Sequence, residues 1–288
     1  MKLEFSKVKL ENGETMAYRY KIGRGYPLIL IHGFQSSSRF FTDLIFSLNE
    51  DIGIYAIDLI GYGDSSYNKK HEKMLDWAYD LYYFLKAMDI KKANILGWSL
   101  GGQVGMDFAG VFPSMVKNLI LVASVGCKGF IMPNKSLNIK IPQFMKDFQI
   151  KHDKSFTIPI LNGIKDEDID FFEDIFKQTV FNVKDPNPNV LMMMTQDFIK
   201  QDCFLESLLA MIKYDNTKTG TNLIKNLTMP ITWIHGDKDM IVPISDAYNS
   251  IGKFPQKINF IKFENSGHAL FVDEKEKFVK IINDLLDR

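Results

Sequence analysis

Five residues, Gly97-Trp98-Ser99-Leu100-Gly101, constrain this chain more than any other feature. They follow an apolar run, Ala93 to Leu96, and open a helical stretch, Leu100 to Val111. A G-x-S-x-G sequence in that position is a sharp strand-to-helix turn that lifts the serine above a sheet in a strained conformation. The flanking glycines carry no Cβ, so neighbouring chain can pass close to the turn. The Leu100 N–H then sits at a helix N-terminus, where it can stabilise developing negative charge.

The surrounding pattern supplies the sheet. Val8 to Glu11 and Glu14 to Tyr20 alternate apolar and polar residues around Asn12-Gly13, the signature of a hairpin. Unbroken apolar runs follow at Pro27 to Ile31, Ile52 to Ile57, Ala93 to Leu96, Leu119 to Ala123 and Ile231 to Ile234, with a more alternating one at Ile258 to Phe263. Such runs predict strands buried on both faces of a parallel sheet. Leu75 to Met88, Leu100 to Val111 and Lys275 to Leu286 carry helical stripes between or after them. The expected class is α/β: a mostly parallel central sheet with helices on both faces. Polar residues gather at the carboxyl ends of the strands, the edge where open α/β sheets bind ligands.

From about Gly126 to Asn226 the strand–helix rhythm stops. A structureless loop of that length is unlikely in a compact domain, so the segment must carry structure of its own. Asp166 to Val180 and Phe198 to Ile212 predict helices, with a turn or loop at Asp185 to Asn189. The expected organisation is a core of residues 1–125 and 227–288, interrupted by a helical cap insertion over residues 126–226.

Composition excludes several function classes. Lys+Arg and Asp+Glu are equal at 35 each, so no net field favours nucleic acid or an anionic membrane. Two cysteines, Cys127 and Cys203, make neither a disulfide framework nor a zinc site. The N-terminus has no apolar signal-peptide core, and no apolar run is long enough to span a bilayer. A cytoplasmic monomer or homodimer acting on a small molecule is the expectation. His71 and His152 lie in charged stretches and are expected to face solvent. Met192-Met193-Met194 fits either helical core or an adaptable apolar pocket.

Five segments in order resemble the α/β-hydrolase superfamily, over nearly the whole chain. They are His32-Gly33-Phe34, Asp58 to Ser65, Gly97 to Gly101, Gly236 to Pro243 and Ser266-Gly267-His268. The resemblance implies the α/β-hydrolase fold and a catalytic triad in the chain order Ser99, Asp239, His268. His268 would serve as general base and acid, and Asp239 would orient it. Asp237 is the alternative acid if Asp239 does not reach His268. The resemblance also implies backbone oxyanion donors at Phe34 and Leu100. His32, Asp58, Gly61 and Gly63 are expected to shape loops, and His235 to mark a strand end.

The insertion is rich in Phe, Ile, Leu and Met. An uncharged, largely apolar ester is the expected substrate, with Trp98, Met192 and Met193 at the pocket and no metal or organic cofactor. Ser99 argues against haloalkane dehalogenases and epoxide hydrolases, which carry Asp at the nucleophile. Carbon–carbon hydrolases of ring-cleavage products keep the same triad and stay open, as does a non-enzymatic receptor or signalling role on the same fold. The Gly-Trp-Ser-Leu-Gly-Gly sequence resembles bacterial carboxylesterases.

Overall fold

A computed structural model describes residues 2–131 and 143–287. Eight strands form one sheet in the order β1-β2-β4-β3-β5-β6-β7-β8. They are β1 (Glu4–Lys9), β2 (Thr15–Lys21), β3 (Arg24–Ile31), β4 (Ile52–Ile57), β5 (Ala93–Trp98), β6 (Val116–Val122), β7 (Ile231–Gly236) and β8 (Asn259–Phe263). β1 and β2 form the expected hairpin, with Gly13 at φ 91° in its turn. The turn takes Leu10 and Glu11 out of the predicted first strand, because the Leu10 N–H closes onto Glu14 O at 2.8 Å. β2 pairs antiparallel with β4, and every pairing from β4 through β3 to β8 is parallel.

The apolar runs lie in the middle of the sheet. Leu28 to Ile31 and all of β5 are buried, as strands covered on both faces must be. The first helices are α1 (Thr42–Ser47), α2 (Met74–Ala87) and α3 (Leu100–Val111). The α2 stripe of Met74, Trp77, Ala78, Leu81, Phe84 and Leu85 is buried. α3 is buried almost all round, between α2 and strands β3, β5 and β6. That is why its sequence shows little polar face.

Among the described residues, five α-helices lie between β6 and β7: α4 (Gln143–Lys151), α5 (Thr157–Lys165), α6 (Ile169–Gln178), α7 (Pro188–Lys200) and α8 (Phe204–Lys213). The chain closes with α9 (Ile244–Ile251), α10 (Leu270–Asp273) and α11 (Lys275–Leu286). Residues 132–142 of the expected insertion lie outside the described residues. Asp168 caps α6 by accepting from Phe171 N. The predicted loop at Asp185 to Asn189 ends at Asn187, which caps α7, and Pro188 is the first helical residue.

The predicted helix from Phe198 to Ile212 is two helices. The chain turns at Gln201–Cys203, because the Gln201 side chain accepts from Gly63 N at 3.1 Å and the Asp202 N–H bonds Gly61 O at 3.3 Å. His71 is also corrected. It is 6% exposed, not solvent-facing, with Nε2 2.5 Å from Asp80 and its ring against Trp77. His152 is exposed as expected. Among the described residues no helix is long and apolar enough to cross a membrane.

Candidate active site

The loops at the carboxyl ends of β3, β5, β7 and β8 bring Phe34, Ser99, Asp239 and His268 to one edge of the sheet. Ser99 has φ 56° and ψ −119°, a conformation that costs on the order of 1–3 kcal/mol in a non-glycine residue. Its surroundings over-determine it. Its N–H donates to Val122 O at 2.9 Å, and its carbonyl accepts from Gly102 N at 3.0 Å. A Cβ at Gly97 would stand 2.3 Å from Gly101 O, and one at Gly101 would stand 2.3 Å from Ile31 O. These close approaches thread the turn between β3 and α3.

Asp239 is buried on the loop after β7. Its Oδ1 accepts the N–H groups of Ile241 and Val242, both at 2.9 Å, and its Oδ2 accepts from His268 Nδ1 at 2.8 Å. Burial alone would raise its pKa. The neighbouring His268 and His235, with the hydrogen bonds they donate, outweigh burial and hold the carboxyl well below the usual range. Asp237 is exposed, so the alternative acid is not the one at His268.

His268 is 2% exposed. With Nδ1 engaged by Asp239, its Nε2 is the ring nitrogen left for chemistry. Its loop is pinned on several sides: Trp98 Nε1 donates to His268 O at 2.9 Å, and Gly267 N donates to Asp273 Oδ2 at 2.8 Å. No Ser99–His268 hydrogen bond is closed among the described residues; such bonds are often long before substrate binds. Leu100 is the first residue of α3, so its N–H has no acceptor within the helix.

The loop-shaping residues are engaged as expected of them. His32 Nε2 accepts from Leu59 N at 3.0 Å, so the proton sits on Nδ1, 2.8 Å from Gly33 O. Burial lowers its pKa, against the pull of Asp58. Asp58 accepts from Ser38 N at 2.7 Å and Asp64 N at 3.0 Å, and a Cβ at Gly63 would lie 2.4 Å from that carboxylate.

Ser99 and His268 line one cavity of about 150 Å³. Phe34 and Trp98 join its floor, and α5 to α8 contribute Ile160, Phe176, Met194, Phe198 and Met211. No charged side chain lines it among the described residues. Thr179 is a further polar lining residue, and its hydroxyl is spent on Ile175 O at 2.6 Å. A larger cleft of about 610 Å³ lies along α11 and is lined by none of Ser99, Asp239 and His268.

The methionine expectation is corrected. Met192 is 39% exposed, and Met193 opens into a separate cleft of about 360 Å³ beside Phe40 and Phe271. Successive helical residues point about 100° apart, so the three cannot share a face. Met194 reaches the cavity instead.

Two further groups escape sequence reasoning. His235 stands at the end of β7 as expected, but its Nε2 is also 3.4 Å from Asp239 Oδ2. Asp197 of α7 is buried, accepting from Ser37 Oγ at 2.5 Å and Arg39 Nη1 at 2.9 Å. Burial raises its pKa, opposed by Ser37 and Arg39. Gln201 adds a bond to Ser36 O at 3.4 Å. Nothing in the local sequence marks these contacts: the first depends on how the loop after β7 folds back, and those of Asp197 and Gln201 join residues far apart in the chain.

A model of the α/β-hydrolase fold matches residues 26–150. A pimeloyl-[acyl-carrier protein] methyl ester esterase from Vibrio parahaemolyticus is 28% identical over 277 residues, covering 94% of this chain and 98% of that protein. The solved structure of an esterase from Exiguobacterium antarcticum superposes with a TM-score of 0.76 at 19% identity, covering 98% of this chain and 99% of that one. An enol-lactonase from Burkholderia xenovorans also gives 0.76, at 16% identity, covering 98% and 100%. These two structures share the fold.

Proposed function

We propose that this chain, a member of the α/β-hydrolase superfamily, is a serine esterase that cleaves a small, largely apolar carboxylic ester through an acyl-enzyme on Ser99. The observation that carries the proposal is the 2.8 Å bond from His268 Nδ1 to Asp239, with the other face of the imidazole sharing a cavity with Ser99.

In this mechanism Ser99 Oγ attacks the ester carbonyl while His268 Nε2 takes the hydroxyl proton. Asp239 holds the ring in the right tautomer and stabilises its cation. The Leu100 and Phe34 N–H groups face the developing oxyanion; each such donor is worth about 10²–10³ in rate. His268 then gives its proton to the departing alcohol. A water molecule, deprotonated by His268, attacks the acyl carbon and releases the acid and Ser99.

The helices between β6 and β7 act as a cap, since they supply most of the cavity's apolar lining. Hydrocarbon walls penalise a charged acyl group, which finds no partner there. That favours an uncharged ester over the diketo acid of a carbon–carbon hydrolase, which needs a cationic partner. The esterase name of the Vibrio relative supports the same chemistry.

The test is steady-state hydrolysis of p-nitrophenyl esters of rising acyl length by the wild type and Ser99→Ala. Turnover lost in the variant supports the nucleophile assignment. Equal turnover in both removes it, and no wild-type turnover on any ester removes the esterase proposal.

A further inference from the structure

Three histidine nitrogens and one carboxylate form a continuous chain behind the site. Trp233 Nε1 stands 3.2 Å from His235 Nδ1, and an indole N–H is only ever a donor. His235 Nδ1 is therefore the accepting nitrogen, and the ring proton sits on Nε2. That N–H is hydrogen-bonded to Val242 O at 2.8 Å, and the same nitrogen stands 3.4 Å from Asp239 Oδ2. Oδ2 is the same oxygen that receives His268 Nδ1. Trp233, His235 and the Asp239 side chain are all fully buried, so no water competes for these bonds.

We propose that His235 is a positioning residue: locked by Trp233 in the Nε2–H tautomer, it anchors the Asp239 loop and holds the Oδ2 oxygen toward His268. The inference rests on the triad assignment above.

The geometry distinguishes this from ordinary packing. His235 lies on β7 and its acceptors lie on the loop that follows, so one side chain ties the strand end to both Val242 and Asp239. The second donor also spreads the charge on Oδ2. Without it the carboxylate would bind the His268 cation more tightly and return the proton to the leaving group less readily. The other carboxyls near this chain are Asp246 of α9, on which both His235 and Asp239 act, and Asp273 of α10, on which Asp239 acts. Both stay in place in the variants below.

Three variants test it: His235→Phe, His235→Gln and Trp233→Phe. Gln keeps an N–H near the Nε2 position; Phe keeps bulk without it. His235 does not line the cavity, so KM should hold. We expect His235→Phe to lower kcat by roughly tenfold to a hundredfold, the range seen when a hydrogen-bonding group one step behind the reacting ligands is lost. The acidic limb of its kcat/KM profile should move to higher pH. His235→Gln should recover most of kcat, and Trp233→Phe should show a smaller shift of the same sign.

The downfield proton resonance of His268 Nδ1–H gives a readout that needs no turnover. It should move in His235→Phe and stay near the wild-type position in His235→Gln. If the wild type hydrolyses no ester, the functional proposal fails while this resonance still tests the anchor. A folded His235→Phe with wild-type kcat, pH profile and resonance overturns the inference. So does a Gln variant as impaired as Phe, which would mean that ring shape matters and the N–H does not. Should His235→Phe not fold, His235→Gln and Trp233→Phe decide: wild-type resonance and pH profile in Trp233→Phe would overturn it.

Discussion

Met193 and Met194 are chain neighbours on α7, yet they open into different cavities: Met193 into the cleft beside Phe40 and Phe271, and Met194 into the pocket that holds Ser99. The wall between them is aromatic. Phe40, Trp98 and Phe271 pack with ring centroids 4.9 to 5.6 Å apart. One helix thus faces two compartments, and of the two only the Met194 pocket is lined by Ser99.

Substitutions on α7 should therefore sort by direction. Met194→Ala or Phe198→Ala enlarges the pocket and should move the optimum of an acyl-length series toward longer chains. Each should also cost about 2–5 kcal/mol of stability, as buried large-to-small changes do. Met192→Ala, at an exposed position, should leave the optimum unchanged. A chain-length profile on p-nitrophenyl esters reads all three.

The loop after β7 offers a paired comparison two residues apart. Asp239→Asn removes the acceptor that fixes the His268 tautomer, and kcat should fall by about 10⁴-fold. Asp237→Asn changes an exposed side chain and should leave kcat within twofold, roughly the noise of the assay. Steady-state kinetics on the two variants separates them, and equal losses would contradict the assignment of Asp239.

His71 makes folding pH-dependent. Its Nδ1 faces Lys69 O at 3.1 Å and its Nε2 faces Asp80 at 2.5 Å. Both partners accept, so both ring nitrogens must carry protons. Burial lowers its pKa, but the Asp80 hydrogen bond and charge more than offset it, and the net is a raised value. A raised folded pKa gives a contribution fully present below about pH 6.5 and lost as pH rises through the folded value. His71→Ala should cost roughly 3 kcal/mol at pH 6 and less at pH 9, by urea denaturation.

Asp107 acts with the opposite chemistry and the same slope. It is buried on α3, accepts from Tyr214 Oη at 3.0 Å, and burial pushes its pKa up to about 7. Between the ordinary carboxylate value and about 7 the folded chain holds a proton that the unfolded chain has released. Stability therefore falls as pH rises through that window. Asp107→Asn keeps an acceptor for Tyr214 and removes the ionisation. It should stabilise at pH 8, by at most roughly 4 kcal/mol, and change little at pH 4. Thermal unfolding at the two pH values checks the sign.

The parts of this structure legible in the sequence are those that local backbone geometry dictates. The turn at Ser99 admits only glycine at Gly97 and Gly101 because neighbouring carbonyls approach to 2.3 Å. The inner strands show as unbroken apolar runs because helices cover both their faces. What the sequence does not show depends on contacts that only the folded chain makes, near or far. His71 reads as a surface residue until α2 brings Trp77 and Asp80 against it. The break between α7 and α8 is hidden because the apolar pattern continues across it, while the cause is a bond from Gln201 to Gly63. Helical phase distinguishes the three methionines, but phase needs the helix start, and the Asp185-Pro-Asn-Pro-Asn189 pattern hides the start at Pro188 within a loop signal.

The fastening of α7 has a further consequence. Asp197 and Gln201 grip Ser36, Ser37 and Arg39, a few residues past Phe34, while Met194 and Phe198 of the same helix wall the pocket. Under the proposed esterase mechanism, selectivity and turnover are thus linked traits. A lineage adapting α7 to a new substrate would also perturb the segment beside Phe34. Laboratory evolution for altered substrate range should accordingly accumulate compensating changes at Ser36, Ser37 and Arg39, distant in sequence from the positions under selection.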